Sequence, residues 1–274
     1  MVVADLHVHT TNSDGQLELD EVAPAARAAG LDAVAITDHD RTHPGLDAPV
    51  TERGGVEVIH GIELRVESDR ADGQRVDLLG YGVRETEALA DELDRLQRDR
   101  VERGREIIER VEERLGHPIP VEPARGIGRP DVARAVVESD PGYDHPDDVF
   151  ADLIGSDRPC YVSRDVPPFE RARGLLADAC AVVGLAHPLR YPDPDAALGL
   201  ARHLDAVEVH YPYDGARGHD GATGPLAVTD VERFAAERDL LVTGGSDAHG
   251  RSLGKRGLDG DEYERLGSAV RERL

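Results

Sequence analysis

The chain has 274 residues, with 55 acidic against 32 basic side chains and a formal net charge of -23. That balance argues against a broad face for duplex nucleic acid, and no apolar stretch reaches membrane-spanning length, so a soluble, cytoplasmic protein is expected. Cys160 and Cys180 lie far apart with no CxxC partner, which predicts reduced thiols rather than a disulfide framework.

In chain order, the first run is "VVADLHVH", a valine-rich strand. Alternate side chains of a strand share a face, so Asp5, His7 and His9 point the same way. The amphipathic stretch "LDEVAPAARAAG" follows as a helix, then the strand "DAVAITD" and the residues His39 and Asp40. Two more strands, "VEVIHGIEL" and "VDLLGYGV", carry Glu63 and Asp77. From 85 to 164 the rhythm breaks into one long charged helix and shorter helical pieces, too long for an ordinary connection. This predicts a helical insert at 85–164 in a barrel domain made of 1–84 and 165–274. Strands resume with "CAVVGLAH", "LDAVEVHYP" and "DLLVTGGSD", which bring His187, Glu208 and Asp247, with His249 just beyond. A loop rich in Gly, Asp and Tyr at 211–226 is expected at a rim. Alternating strands and helices predict an α/β fold with a mostly parallel sheet, open or closed into a barrel.

Two imidazoles side by side suit one metal ion, because neutral nitrogen ligands add no charge. Each single feature has an ordinary explanation: a histidine before proline can fill a loop, and Asp14 in "NSDG" is a good turn former. The repetition has none. Strand after strand places a metal-competent residue at the carboxyl edge of the sheet, where parallel α/β folds build their sites.

The series "DLHVHTTNSDG", "ITDHD", "GIEL", "LLGYG", "AHP" and "GSDAH" resembles the PHP (polymerase and histidinol phosphatase) family over nearly the whole chain. The insert motifs "IGRPDVARAVV" and "RPCYVSRD" are similar to its stand-alone branch, which hydrolyses nucleoside 3',5'-bisphosphates and trims short oligonucleotides. The resemblance implies a distorted seven-stranded (β/α) barrel around two or three divalent ions (Mn, Zn, Fe or Mg). By that likeness His7, His9, Glu63 and Asp247 hold one metal, and Glu63 bridges to a second bound also by Asp77 and His187. Asp14, His39 and His249 hold the third. Asp5, Asp38 and Asp40 are expected behind the imidazoles as acceptors that fix their tautomers. Glu208 is a further such support or a partner in a strand-end salt bridge. His43 and His210 touch substrate or stay on the surface.

Two positions depart from the family pattern, which has His at Asp77 and at Asp131. An anionic oxygen at 77 favours a harder ion such as Mn²⁺ or Mg²⁺, with incomplete occupancy as the rival outcome. Asp131 follows Pro130 and also suits the first turn of a helix. The implied chemistry is attack on phosphorus by a hydroxide held between metals, which needs no serine or cysteine nucleophile. Accordingly there is no GxSxG elbow and no P-loop. Arg129, then Arg100, Arg103 and Arg164, are candidates to bind a second phosphate, against the alternative of solvated ion pairs. The expected partner is a small phosphorylated substrate, with no membrane and no obligate protein partner. A histidinol-phosphate-type phosphatase or a non-catalytic, metal-stabilised binding module is the alternative. With only Lys255 among its lysines, the acidic surface is similar to that of proteins from salt-accumulating halophiles.

Overall fold

Eight strands form one curled sheet in the computed structural model, which describes residues 1–71, 73–213 and 226–274. They are β1 (Ala4–Val8), β2 (Ala33–Ile36), β3 (Val50–Arg53), β4 (Val56–Ser68), β5 (Gln74–Tyr81), β6 (Val182–Leu185), β7 (Ala206–His210) and β8 (Leu241–Gly244). The α-helices are α1 (Leu19–Ala28), α2 (Glu87–Leu115), α3 (Arg129–Ser139), α4 (Pro146–Val149), α5 (Phe169–Ala179), α6 (Pro194–Leu200), α7 (Val228–Glu237) and α8 (Gly260–Glu272). Most of the loop expected at the rim, residues 214–225, lies outside the described residues.

Seven strands follow the order β1-β2-β4-β5-β6-β7-β8, and β3 pairs onto β4 as a side hairpin. The backbone N–H of His9 donates to Ala248 O at 3.0 Å, and that of Ala248 to His7 O at 3.2 Å. These bonds tie β1 to the segment after β8, so the path curls back on itself like a barrel. The seven expected strands are those of this path. β3 was not among them.

The sheet departs from all-parallel at β5, which runs against both β4 and β6. Residues 69–73 alone connect β4 to β5, and a parallel crossover needs a dozen or more. The other neighbours on the path are parallel.

Apolar packing holds the helices to the sheet. Val22, Ala23 and Ala26 recur on one face of α1 and bury against Val34, Ile36, Val56 and Val58 of β2 and β4. A second cluster joins Leu6, Ile59, Leu79 and Val182 to Leu266 and Val270 of α8. Each fully buried Val or Leu contributes about 1.5–3 kcal/mol.

The described residues gather into two compact units, Met1–Ala90 with Val166–Leu274, and Asp91–Asp165. The first carries the sheet. The second is helical and has its own core, where Ile107, Ile108 and Val111 of α2 meet Val132 and Val136 of α3, with Val149 and Leu153. No helix among the described residues is long and apolar enough to cross a membrane.

Candidate metal centre

His7 lies within β1 and His9 follows it, and their ring centroids are 5.2 Å apart on one face. β2 ends at Ile36 and leads into Asp38, His39 and Asp40; β6 leads into His187; β8 leads into Asp247 and His249. Asp40, His187 and Asp247 have φ of 50°, 26° and 49°, the left-handed region that side chains other than glycine rarely adopt. Such strain costs of order 1–3 kcal/mol per residue and clusters at functional sites. Gly245 makes the approach of the last loop possible, since a Cβ there would lie 2.4 Å from the Cβ and the N of His7. Glu63 and Asp77, like His7, lie within strands, on the long β4 and the reversed β5.

His7 Nε2 is 3.4 Å from Glu63 Oε1 and 3.6 Å from Asp247 Oδ1. His9 Nε2 is 3.4 Å from Glu63 Oε2 and 3.2 Å from Asp247 Oδ1. Both nitrogens are buried, and neither has a hydrogen-bond partner among the described residues. Two ligands held about 2.1 Å from one tetrahedral cation stand roughly 3.4 Å apart, so this spacing fits a shared ion better than a set of hydrogen bonds. Among the described residues, four overlapping groups could hold a metal, each with ligand atoms within 4.8 Å of one another. They are His9, Asp14, His39 and His249; His7, His9 and Glu63; His7, His187 and Asp247; and Glu63, Asp77 and His187. All nine side chains expected to ligate are brought together. The grouping differs in two respects: Asp247 falls with His7 and His187 and not with the set of His7, His9 and Glu63, and His9 also stands with Asp14, His39 and His249, its ring centroid 4.5 Å from that of His39 and 4.2 Å from that of His249.

Charge organises the centre. Burial penalises the ionised forms of Glu63 and Asp247, yet the imidazoles around them hold both well below the ordinary carboxylate range. Burial likewise opposes protonation of His7, but Glu208, Glu63 and Asp247 push its pKa well above the usual value. For His249 burial is outweighed by Asp14 and Asp247, and its pKa is raised to about 9. His9 moves the other way, lowered by burial and by His249 and His39. Protons on some imidazoles thus balance clustered carboxylates, the role that divalent cations fill when they displace those protons.

The surrounding acids divide by what they hold. Glu208 is fully buried and accepts from His7 Nδ1 at 3.0 Å and from the His187 backbone N–H at 2.7 Å. A carboxylate only accepts, so His7 carries its proton on Nδ1 and turns Nε2 into the centre. For Asp5 and Asp38 the expectation needs correction, because their bonds run to loops instead of imidazoles. Asp5 takes the backbone N–H groups of Ser246 and Gly254, both at 2.8 Å, and so fixes the loop that carries Asp247. Asp38 accepts from Thr10 N and Oγ1, Ser13 Oγ and Asn12 Nδ2 at 2.8–3.1 Å, which shapes the loop that carries Asp14. Backbone amides of the loop draw Asp5 away, and for Asp38 it is chiefly the Thr10 and Ser13 hydroxyls and the Asn12 side-chain amide. Asp40 accepts from the Arg65 backbone N–H at 3.3 Å. His43 donates its backbone N–H to His60, and His210 pairs with Glu262 at 2.8 Å.

Four side chains at the centre were not singled out from sequence. Arg65 grips Asp77 with Nε–Oδ1 at 2.7 Å and Nη2–Oδ2 at 2.6 Å. Tyr191 accepts from the Asp77 backbone N–H at 2.7 Å. Arg190 Nη1 donates to Tyr211 Oη at 2.7 Å and to Asp247 Oδ2 at 3.0 Å, and Tyr211 Oη donates to the same oxygen at 2.8 Å. Strand alternation puts Arg65 on the face of Glu63, two residues after it, while its meeting with Asp77 follows from the β4–β5 register.

In the helical unit, Arg129 Cζ lies 5.5 Å over the Phe150 ring and 5.6 Å over the Tyr161 ring, and Nη1 donates to Ile154 O. Arg103 Nε donates to Val162 O at 2.9 Å, and burial together with Arg129 and Arg100 lowers its pKa to about 10. Arg100 reaches Gly126 O and Ile127 O, and Arg164 is half-buried where the chain leaves the unit. Asp131 accepts from the Gly128 backbone N–H at 2.7 Å and pairs with Arg134, so it caps the first turn of α3.

The PHP domain family matches residues 5–143. A 3',5'-nucleoside bisphosphate phosphatase of Chromobacterium violaceum is 30% identical over 267 residues, 93% of this chain and 90% of that protein. A phosphoribosyl 1,2-cyclic phosphate 1,2-diphosphodiesterase of Eggerthella lenta is 28% identical over 264 residues, 91% of this chain and 95% of that one. Among solved structures, a protein of Bifidobacterium adolescentis described as a metal-dependent phosphoesterase superposes with a TM-score of 0.75 at 25% identity, covering 97% of this chain and 96% of its own. Likeness of that extent, on a curled sheet that gathers nine side chains able to hold metal, leaves one conclusion: the chain belongs to the PHP domain family and is a hydrolase of phosphate ester bonds.

Proposed function

We propose that the protein hydrolyses small nucleotide-type phosphate esters, such as nucleoside 3',5'-bisphosphates or short oligonucleotides, at a centre of two or three divalent cations. His7, His9, Asp14, His39, Glu63, Asp77, His187, Asp247 and His249 would hold them. The observation that carries this reading is the convergence of buried, unpaired imidazole nitrogens on Glu63 and Asp247. Divalent cations supply an activated water and positive charge for the phosphoryl oxygens. Four carboxylates in the donor set favour hard ions, Mn²⁺ or Mg²⁺ before Zn²⁺ or Fe²⁺.

Arg190 would do the rest of the work at the phosphoryl group. Its side chain is 39% exposed beside Asp247, and its guanidinium has donors to offer a non-bridging oxygen while Tyr211 keeps it in place. Glu208 holds the His7 tautomer through substrate binding and turnover. Within the helical unit, Arg129, Arg103 and Arg100 crowd like charges together, an arrangement that a bound phosphate relieves; Arg164 is the fourth candidate there. The barrel and insert division at 85–164, a cytoplasmic setting with free thiols and a salt-rich milieu complete the proposal.

The test uses chelator-stripped protein reloaded with Mn²⁺ in high-salt buffer. Adenosine 3',5'-bisphosphate, histidinol phosphate and short oligonucleotides are offered in parallel, and phosphate or nucleotide release is followed. Turnover of the bisphosphate or the oligonucleotides, abolished by chelator, is the expected result. Turnover of histidinol phosphate alone would overturn the substrate assignment. Metal binding with no turnover of any ester would leave a binding module.

A further inference from the structure

Arg65 and Asp77 stand directly opposite each other in the antiparallel β4–β5 pair, and Glu63 shares the face of Arg65. Asp77 is 2% exposed, and both of its oxygens are taken by the guanidinium. The contrast with Asp247 is instructive. There Arg190 and Tyr211 share Oδ2, while Oδ1 stays turned toward His9 Nε2 at 3.2 Å and His7 Nε2 at 3.6 Å. At Asp77 the oxygen nearer His187 is Oδ2, 3.8 Å from Nε2, and it is the one that Arg65 Nη2 holds at 2.6 Å.

We propose that the Arg65 guanidinium is a built-in cation at the Glu63–Asp77–His187 position, so that the protein retains two divalent ions tightly and a third only weakly. This rests on the metal-centre reading above. An Asp77–Arg65 pair carries the same net charge as one neutral imidazole, so the overall charge of the centre is kept while the ligand oxygen is spent on the guanidinium. A divalent ion at that position would sit beside a fixed positive charge and compete with a bidentate, charge-assisted bond. The groups His7, His9 and Glu63, and His9, Asp14, His39 and His249, contain no side chain engaged in this bidentate way by the arginines described.

The experiment counts metal. Wild type, Arg65→Gln, Arg65→Met, Asp77→His and Arg65→Gln/Asp77→His proteins are loaded with excess Mn²⁺, dialysed against metal-free buffer and assayed by elemental mass spectrometry, with circular dichroism to confirm folding. We expect about two ions per chain in wild type and in Asp77→His, where Arg65 remains, and about three in whichever Arg65 variants fold and in the double variant. Titration should show the third site tightening at least tenfold when Arg65 is neutralised. Three equally tight ions in wild type would overturn the proposal, as would a count of two in the folded Arg65 variants or of three in Asp77→His alone. Absence of any retained metal in wild type would instead overturn the metal-centre reading itself.

Discussion

Glu208 accepts the Nδ1 proton of His7 at 3.0 Å, and both side chains are wholly buried. That single bond decides which nitrogen of His7 faces Glu63 and Asp247. Replacing Glu208 with Gln keeps the shape but lets the amide donate as well as accept, so the tautomer is no longer fixed. We expect Glu208→Gln to bind Mn²⁺ roughly 10- to 100-fold more weakly, the usual effect of losing such a support. Calorimetric titration of the stripped protein measures it; unchanged affinity would mean that Glu208 only braces the strands.

Arg190 offers a second test, because its contacts separate substrate binding from metal binding. Arg190→Gln leaves the Tyr211 hydroxyl on Asp247 Oδ2 and leaves Oδ1 facing the imidazoles. Metal content should therefore stay at the wild-type value. kcat/KM for the phosphate ester should fall by about 10²–10³, the cost of removing one donor to developing negative charge. Tyr211→Phe, which keeps the guanidinium, should fall far less. A matching loss of bound metal in Arg190→Gln would assign the residue to the metal centre instead.

The strands of the sheet were readable because short β-branched and apolar runs between helical segments are local signals, and β1, β2 and β6 are buried along their whole length. Side hairpin β3 escaped although Gly54 and Gly55, both with positive φ (57° and 80°), join "VTER" to "VEVI" in the pattern of a tight turn. The run was short and only partly buried, so its apolar pattern was faint. The nine ligand candidates were legible because strand after strand brings a metal-competent side chain toward one edge of the sheet and because the series as a whole resembles one family's pattern. Their partners were harder: Asp5 and Asp38 satisfy backbone donors of loops distant in sequence, and Arg65 meets Asp77 only because of a cross-strand register. Register depends on how β4 is joined to β5, which the strand pattern alone does not set.

The net charge of -23 predicts a strong response to salt. At about 0.1 M ionic strength charges interact over roughly 10 Å, so acidic side chains repel across the folded surface; near 1 M the range falls to about 3 Å. We expect the thermal midpoint to rise steadily as NaCl is increased from 0.1 M to 2 M. A midpoint that stays level or falls would remove the salt-adapted reading and leave the acidic surface unexplained.

His60 gives a pH test outside the ligand set. It is buried, and its Nε2 accepts the His43 backbone N–H at 3.1 Å, a bond that requires neutral imidazole. Burial, with a smaller push from His43, lowers its pKa to about 4. Between about 6.5 and 4 the unfolded chain therefore binds a proton at this position that the folded chain refuses. More protons bound in the unfolded state means that stability rises with pH across this window and is lost as pH falls through it. At about 1.4 kcal/mol per unit, the loss attributable to His60 is at most roughly 3 kcal/mol. His60→Gln retains an acceptor for the His43 N–H and does not titrate. Urea unfolding of both proteins in chelator should show the wild type losing this extra stability between pH 6.5 and 4 relative to the variant. Parallel curves for the two proteins over that interval would mean that His60 charges freely in the folded state.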